Sequence, residues 1–228
     1  MIKTVDPAAG LNWLQGGWSA FRAGGAVLIA MVLVTLLAVF VLRWVPLLGA
    51  LLAPVAGTLL YAGMLKGLRK HAGGGELRFD DLYSALTDQD KAVHLLIIAV
   101  VPVVGAVLSA LFGGGFFGWV LGSLVMLCVA ALTYFAVPLV LFRQMEAPQA
   151  LAMSVRGVLQ NLPAVLVYWM VCVLLIGLAV LPLGLGLLVL GPVLLGAAYE
   201  AYAEIYGDIE IVPNGPPPPP QAEGGSAD

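Results

Sequence analysis

The sequence contains very little charge. Only 10% of its 228 residues are Asp, Glu, Lys or Arg, whereas 61% are hydrophobic, and the mean hydropathy is +1.03. A soluble domain is about 25% charged and about 45–50% apolar. Because so few polar side chains cannot cover a globular core, we expect lipid to surround most of the chain. The net charge of −3 excludes a strongly basic nucleic-acid reader, so we expect no nucleic-acid partner.

Cysteine is scarce, and the common catalytic motifs are missing. Cys128 and Cys172 both fall inside apolar runs, which is typical of small buried side chains rather than of a disulfide or a ligand pair. No Gly-x-Ser-x-Gly, His-Glu-x-x-His or Cys-x-x-Cys pattern occurs, and the acidic residues between 76 and 90 match no metal-binding spacing. We therefore expect no metal and no cofactor, and the sequence favours a protein that is not an enzyme.

Long apolar runs fill most of the chain, and Gly24 to Leu65 holds the clearest pair. Two runs, each close to the ~20 residues that cross a bilayer, meet at Arg43 and Trp44, whose side chains favour the water interface. This pattern predicts a transmembrane helical hairpin, and it recurs twice. The predicted spans are 24–42, 45–65, 92–112, 116–142, 163–181 and 184–203. The predicted fold class is an all-α polytopic transmembrane helical bundle of three hairpins.

A short amphipathic segment precedes each hairpin. Residues 1–23 carry apolar side chains three and four positions apart, and a shorter apolar face includes Leu82. The third segment has an apolar stripe formed by Leu151, Val155, Val158 and Leu159. These patterns predict short helices that lie in the membrane interface. Residues 1–211 then form one membrane domain, and residues 212–228, rich in Pro, Gly and small polar residues, form a disordered tail.

The basic residues are distributed unevenly along the predicted topology. Nine of the ten Lys and Arg residues precede the first run or lie in the two long polar connections, and only Arg43 lies on the other side. Cytoplasmic loops carry an excess of Lys and Arg, so both termini are expected in the cytoplasm. Aromatic rings favour both interfaces, and the predicted interfacial anchors are Trp13, Trp18, Trp44 and Trp119.

The candidate site in the sequence lies at the end of the last run. Glu200 and Glu204 are one helical turn apart, a spacing that suits a metal site or acid–base chemistry. Around them we expect a tyrosine belt and basic partners for the acids. The tyrosines are Tyr199, Tyr202 and Tyr206, and the bases are Arg69, Lys70 and Arg156. The simpler interpretation is an interfacial belt with ion pairs; the alternative is a site that binds lipid or a partner.

Two segments carry a resemblance to a known family. NWLQGGWSAF, beginning at Asn12, is a tryptophan-containing amphipathic start, and YEAYAEIYGDI, beginning at Tyr199, is a tyrosine-rich end. From about Leu11 to Ile209 the chain resembles a family of uncharacterised bacterial six-helix inner-membrane proteins. That architecture is distantly like the membrane domain fused to some glycerophosphodiester phosphodiesterases. The resemblance implies a six-helix fold in the bacterial inner membrane; it implies no reaction and no catalytic residues.

Three functions remain open at this point. The first is a non-enzymatic role in envelope or lipid homeostasis, with membrane lipids and a protein partner or second copy of the chain as partners. The second is a transporter or channel for an apolar or amphipathic solute, although the lack of charge inside the runs disfavours ion-coupled transport. The third is a membrane enzyme that uses Glu200 and Glu204. A cavity that reaches the middle of the membrane would favour transport, and a closed pocket around the glutamates would favour an enzyme.

Overall fold

The computed structural model describes residues 2–45, 48–181 and 184–208, and within these ranges the chain is helical, without a strand. The predicted tail, 212–228, lies outside the described residues. The helices are α1 (Ala9–Arg43), α2 (Gly49–Ala72), α3 (Gln89–Leu111), α4 (Phe116–Thr133), α5 (Ala136–Arg143), α6 (Ala147–Gln160), α7 (Leu162–Val180) and α8 (Gly186–Tyr206). A short 3₁₀ helix, Phe79–Tyr83, lies between α2 and α3.

Six stretches of the described chain are long and apolar enough to cross a membrane, which confirms the predicted fold class. These stretches are α1, α2, Asp90–Leu111 in α3, Phe116–Arg143 (α4 with α5), α7 and α8. Helix α1 packs on α2, α3 on α4, and α7 on α8, as the predicted hairpins require. The most extensive contact joins α1 to α8, and it closes the bundle between its first and last helices.

The predicted interfacial helix in residues 1–23 is instead the first part of α1. Backbone angles at Gly24 (φ −136°, ψ 27°) are not helical, so α1 bends at the predicted start of the first span. The part before Gly24 is packed inside the bundle by its small residues. A Cβ atom at Gly10 would lie 2.5 Å from the carbonyl oxygen of Ala164, and one at Gly17 would overlap the carbonyl oxygen of Val193. Glycines at such positions allow helices to approach closely.

The polar connection after the second span is shorter than predicted. Helix α2 continues beyond Leu65 to Ala72, because Gly67 and Leu68 are buried against the rest of the bundle. The predicted second interfacial helix is the 3₁₀ helix, in which Leu82 is fully buried. It packs on α2 at Gly63, where a Cβ atom would overlap the carbonyl oxygen of Leu82. This segment therefore packs against protein rather than lying on lipid.

The fourth predicted span is broken into two helices. Helix α4 ends at Thr133 and α5 begins at Ala136, with Pro138 two residues further on. Proline has no N–H, so the carbonyl group four residues earlier loses its helical partner. At the break, the hydroxyl group of Ser154 accepts a hydrogen bond from the backbone N–H of Phe135 (3.0 Å) and donates one to the carbonyl oxygen of Ala131 (2.8 Å). Ser154 thus replaces one backbone hydrogen bond of a continuous helix.

Helix α6 supplies this serine, and the face it buries differs from the prediction. The predicted apolar stripe included Leu151, Val155 and Leu159, yet Leu159 is 62% exposed. The buried face consists of small residues and one valine: Ala147, Ala150, Ser154, Gly157 and Val158. Small side chains bring α6 close to α4 and α5, whereas larger ones would hold it away.

Candidate functional site

The predicted site at the end of α8 is a packed core. Tyr199 and Tyr202 are fully buried, and Glu200 is 3% exposed, so the predicted interfacial tyrosine belt is wrong. The ring of Phe142 lies 6.2 Å from that of Tyr199 and 5.6 Å from that of Tyr202. Since these rings fill the space between α5 and α8, the tyrosine-rich sequence is explained by packing.

The acidic and basic residues of this region pair differently from the prediction. Glu204 accepts a hydrogen bond from the indole N–H of Trp13 at 2.6 Å, and the side chain of Glu200 packs against Gly16. Basic residues nearby have other partners. Arg69 bonds Asp208 at 3.0 Å, Lys70 bonds Asp81 at 2.7 Å, and Arg156 is exposed on α6. The predicted pairing of Glu204 with Arg69, Lys70 or Arg156 is therefore wrong.

The predicted tryptophan anchors fall into two groups. Trp13 is only 1% exposed and lies inside the bundle, where its ring contacts Tyr168 at a centroid distance of 5.8 Å. It therefore does not anchor the protein at a lipid surface. Trp18, Trp44 and Trp119 are exposed on the outside of the bundle, which remains compatible with an interfacial position.

Backbone contacts tie the N-terminal segment to the same region. The backbone N–H of Lys3 donates to the carbonyl oxygen of Ile205 at 2.8 Å, and the side chain of Asn161 bonds the backbone of both Lys3 and Val5. Arg143, at the end of α5, donates to the carbonyl oxygen of Tyr206. Such contacts satisfy the carbonyl groups at the end of α8, and they give this cluster a structural role.

A cavity of about 430 Å³, which we call the Arg43 cavity, lies between α1 and α3 over one face of α2. The α2 face is formed by Pro54, Gly57, Thr58 and Tyr61, which recur at helical spacing. The remaining walls are mainly apolar. They are formed by Val39, Ala53, Ile98, Pro102, Thr133, Tyr134 and Val137, with Arg43 at the end of α1. Sequence analysis did not predict this site.

A second cavity of about 370 Å³, the α8 cavity, lies between α1, α2, α7 and α8. Tyr61 and Tyr134 line both cavities, and Tyr168 lines the second. The rings of Tyr134 and Tyr168 have centroids 6.2 Å apart. Both cavities therefore meet at a group of tyrosines in the middle of the bundle.

The hydroxyl group of Tyr134 is buried and makes no hydrogen bond of ordinary geometry within the described part of the chain. Tyr134 lies at the break between α4 and α5, so Pro138 and Ser154 determine where its ring is placed. A sequence signal for this site did exist. Tyr61, Tyr134 and Tyr168 are tyrosines inside apolar runs, where a buried hydroxyl group needs a partner.

Among the described residues that line the two cavities, Arg43 carries the one charge. Its side chain is exposed, and no acidic side chain in the described ranges forms an ion pair with it. No Asp, Glu, His or Cys is among the described residues that line either cavity. In the same part of the chain, three or more such side chains nowhere form a metal-binding group. The Arg43 cavity thus offers apolar walls, a few hydroxyl groups and a cation, which suits binding rather than proton transfer or nucleophilic attack.

No family model, curated protein or solved structure matches this chain. The class that the fold defines is a multi-pass, all-helical membrane protein.

Proposed function

We propose that this protein is a bacterial inner-membrane protein that binds a membrane lipid in the Arg43 cavity, and that it serves envelope or lipid homeostasis without catalysing a reaction. The cavity itself supports this proposal most directly. Its volume of about 430 Å³ falls within the range of roughly 300–1,000 Å³ that is typical of small-molecule sites. It lies beside Pro54, Gly57, Thr58 and Tyr61, in the middle of a helix that can span the membrane.

The character of the walls favours an amphiphile over a polar solute. Val39, Ile98, Pro102 and Val137 present apolar surface to the cavity, and apolar contacts suit an acyl chain. An ion or sugar in the same place would lose its hydration without enough polar groups to replace it. The position of the glutamates also favours binding over catalysis, since Glu200 is packed in the bundle and lines neither cavity.

Passage of an amphiphile through the bundle is the second candidate function. The Arg43 cavity and the α8 cavity share Tyr61 and Tyr134. Rotation of these two side chains would join the cavities into a longer path. A transporter or scramblase of this kind would need that movement, whereas lipid binding needs only the Arg43 cavity.

The distribution of charge supports the proposed orientation, with both termini in the cytoplasm. Lys3, Arg69 and Arg143 meet at the end of α8, whereas Arg43 lies at the far end of α1. A reporter fused after Asp228 is expected to be active in the cytoplasm, and one inserted at Gly114 is expected to report the outside. The opposite pattern would contradict this orientation and place Arg43 at the cytoplasmic leaflet.

Lipid binding is tested by filling the cavity. Gly57 lines it, and a Cβ atom there would make ordinary contact with Val39 at 3.4 Å. We expect Gly57→Leu to lower the amount of lipid that copurifies after a delipidating detergent wash, measured by native mass spectrometry. Gly177→Leu is the matched control, because Gly177 is on α7 with no atom within 4 Å of an added Cβ.

Two outcomes would contradict the proposal: a wild-type protein without bound lipid, or equal lipid in both variants and the wild type. Exchange of a fluorescent lipid between the leaflets of proteoliposomes tests the second candidate. Exchange that is catalysed by wild type and by Gly177→Leu, but not by Gly57→Leu, would support passage of the lipid rather than binding alone.

A further inference from the structure

We infer that the lipid in the Arg43 cavity is an anionic amphiphile, with its acidic headgroup paired to Arg43 and its chain lying along α2 towards Tyr134. This inference rests on the proposed lipid binding and adds the chemical class of the ligand. It is carried by the charge at the cavity mouth and by the buried hydroxyl group at its inner end.

Arg43 has no acidic residue of this chain near it in sequence. The connections at its end of the bundle are RWVPLL after α1, FGGGFF after α3 and LPLGLG after α7, and none contains Asp or Glu. All thirteen acidic residues occur at Asp6, between Glu76 and Asp90, at Glu146, or from Glu200 onward. An external anion is therefore the natural counterion for this guanidinium, and a phosphate or carboxylate headgroup matches its planar donors.

Several basic residues at the other end of the bundle have an acidic partner. Lys66 and Lys91 both contact Asp88, and Arg69 contacts Asp208. Each of these cations sits at the opposite end from Arg43, beside an acid of the chain itself. Arg43 differs from these cations because no acidic side chain in the described ranges forms an ion pair with it.

The inner end of the cavity places a second chemical requirement on the ligand. From Pro54 to Tyr61 the α2 face covers eight residues, and the seven steps between them amount to about 10 Å at 1.5 Å per residue. Thr58 and Thr133 lie along the walls, and the buried hydroxyl group of Tyr134 makes no hydrogen bond of ordinary geometry within the described part of the chain. A buried hydroxyl group favours a ligand atom that accepts its proton. The ester carbonyl below the headgroup of an acidic glycerolipid supplies one, whereas the chain of a fatty acid does not.

The test is a lipid titration of the full-length, delipidated protein, followed by native mass spectrometry. The probes are phosphatidylglycerol, phosphatidylcholine with the same chains, and oleic acid. We expect phosphatidylglycerol to bind wild type more tightly than phosphatidylcholine, by up to about five-fold, as a partly exposed ion pair allows. Arg43→Gln is expected to remove this preference, because it weakens phosphatidylglycerol binding more than phosphatidylcholine binding.

Arg22→Gln is the matched control, because Arg22 is an exposed arginine on the same helix that does not line the cavity. The control is expected to keep the preference. Tyr134→Phe distinguishes the two sources of the anion: it is expected to weaken phosphatidylglycerol binding more than oleic acid binding. An equal loss for both would contradict the role of the ester carbonyl.

The failures of the two proposals are distinguishable. The inference of an anionic ligand would be overturned if wild type bound phosphatidylglycerol and phosphatidylcholine equally, or if the preference survived Arg43→Gln. The proposal that the cavity binds lipid would still stand. If none of the three probes binds the wild-type protein, the proposed function itself fails.

Discussion

The indole N–H of Trp13 donates a hydrogen bond of 2.6 Å to Glu204, 191 residues further along the chain. Trp13 belongs to the first helix and Glu204 to the last, and the tryptophan side chain is almost fully buried. This contact explains both an acidic residue near the end of an apolar helix and a tryptophan that is absent from the lipid surface. It fixes the closure of the bundle between α1 and α8.

Loss of this hydrogen bond is expected to destabilise the fold. Trp13→Phe keeps an aromatic ring and leaves the carboxylate of Glu204 without its donor, at a cost of about 1.5–3 kcal/mol for a hydrogen bond to a charged group. The measurement is the free energy or midpoint of thermal unfolding in detergent. Trp18→Phe, at an exposed tryptophan one and a half turns away, is the control and should change little. Equal effects would show that the hydrogen bond does not stabilise the bundle.

The close packing of α1 on α8 can be tested by a second mutation. A Cβ atom at Gly17 would overlap the carbonyl oxygen of Val193 and lie 2.7 Å from the backbone nitrogen of Ala197. Backbone atoms cannot turn aside, so Gly17→Ala should force the helices apart and lower stability by about 1–3 kcal/mol or more. Gly177→Ala makes the same change where nothing lies within 4 Å, and it should be neutral or stabilising. A stable Gly17→Ala variant would contradict the close contact.

The pH dependence of stability should show the effect of the ion pairs that Lys66 and Lys91 form with Asp88. A hydrogen bond from Lys91, together with the charge and hydrogen bond of Lys66, lowers the pKa of Asp88 from its ordinary value of 3.8. Because the pKa is lower in the folded protein, the ionised form stabilises the fold. Its contribution is complete above pH 3.8 and is lost as the pH falls through the lowered pKa.

Asp88→Asn tests this directly. At neutral pH the variant should be less stable than wild type by up to about 1 kcal/mol, as is typical of partly exposed ion pairs. The difference should shrink below pH 3.8 and disappear in stronger acid. Asp80→Asn is the control, since Asp80 is 84% exposed and lies 3.7 Å from Arg78. A difference that stays constant in acid would exclude Asp88 ionisation as the cause.

The class and the number of spans were predictable because they depend on composition and run length. Six runs close to the ~20 residues of a bilayer crossing are visible without tertiary information, and the structure contains six such stretches. The first two predicted interfacial segments pack against protein, and the sequence did not reveal this for a physical reason. An amphipathic pattern shows that a face is apolar, but lipid and protein are both apolar environments. Only the glycines, such as Gly10 and Gly17, indicated contact with another helix.

The site was less predictable than the fold. Glu200 and Glu204 were predicted as a site because charges near a membrane are rare. In the structure, Glu200 packs against Gly16 and Glu204 accepts a hydrogen bond from Trp13. The Arg43 cavity is assembled from residues on α1, α2, α3 and the α4–α5 break, each unremarkable in its own segment. Its position depends on the break at Tyr134, which requires a hydroxyl group from Ser154 of another helix. Sequence periodicity does not record such a contact.

Ser154 is accordingly the residue of α6 that influences the shape of the Arg43 cavity, because it stabilises the break beside Tyr134. Its hydroxyl group is buried between the N–H of Phe135 and the carbonyl group of Ala131. Ser154→Ala removes both hydrogen bonds and leaves two backbone groups unsatisfied, at a cost of about 1–3 kcal/mol for a buried group. Two relaxations are available to the chain: direct bonding of Phe135 to Ala131, which straightens the helix, or entry of water.

Straightening would move Tyr134, which lines both cavities. We therefore expect Ser154→Ala to lower thermal stability and also to reduce copurified lipid, although Ser154 lines neither cavity. Ser123→Ala is the control, because Ser123 is exposed on α4 and bonds only the carbonyl oxygen of Trp119 within its own helix. If Ser154→Ala lowers thermal stability but leaves the amount of copurified lipid unchanged, Ser154 stabilises only the backbone at the helix break. Loss of both properties, with Ser123→Ala like wild type, would show that the helix break positions the tyrosine for the ligand.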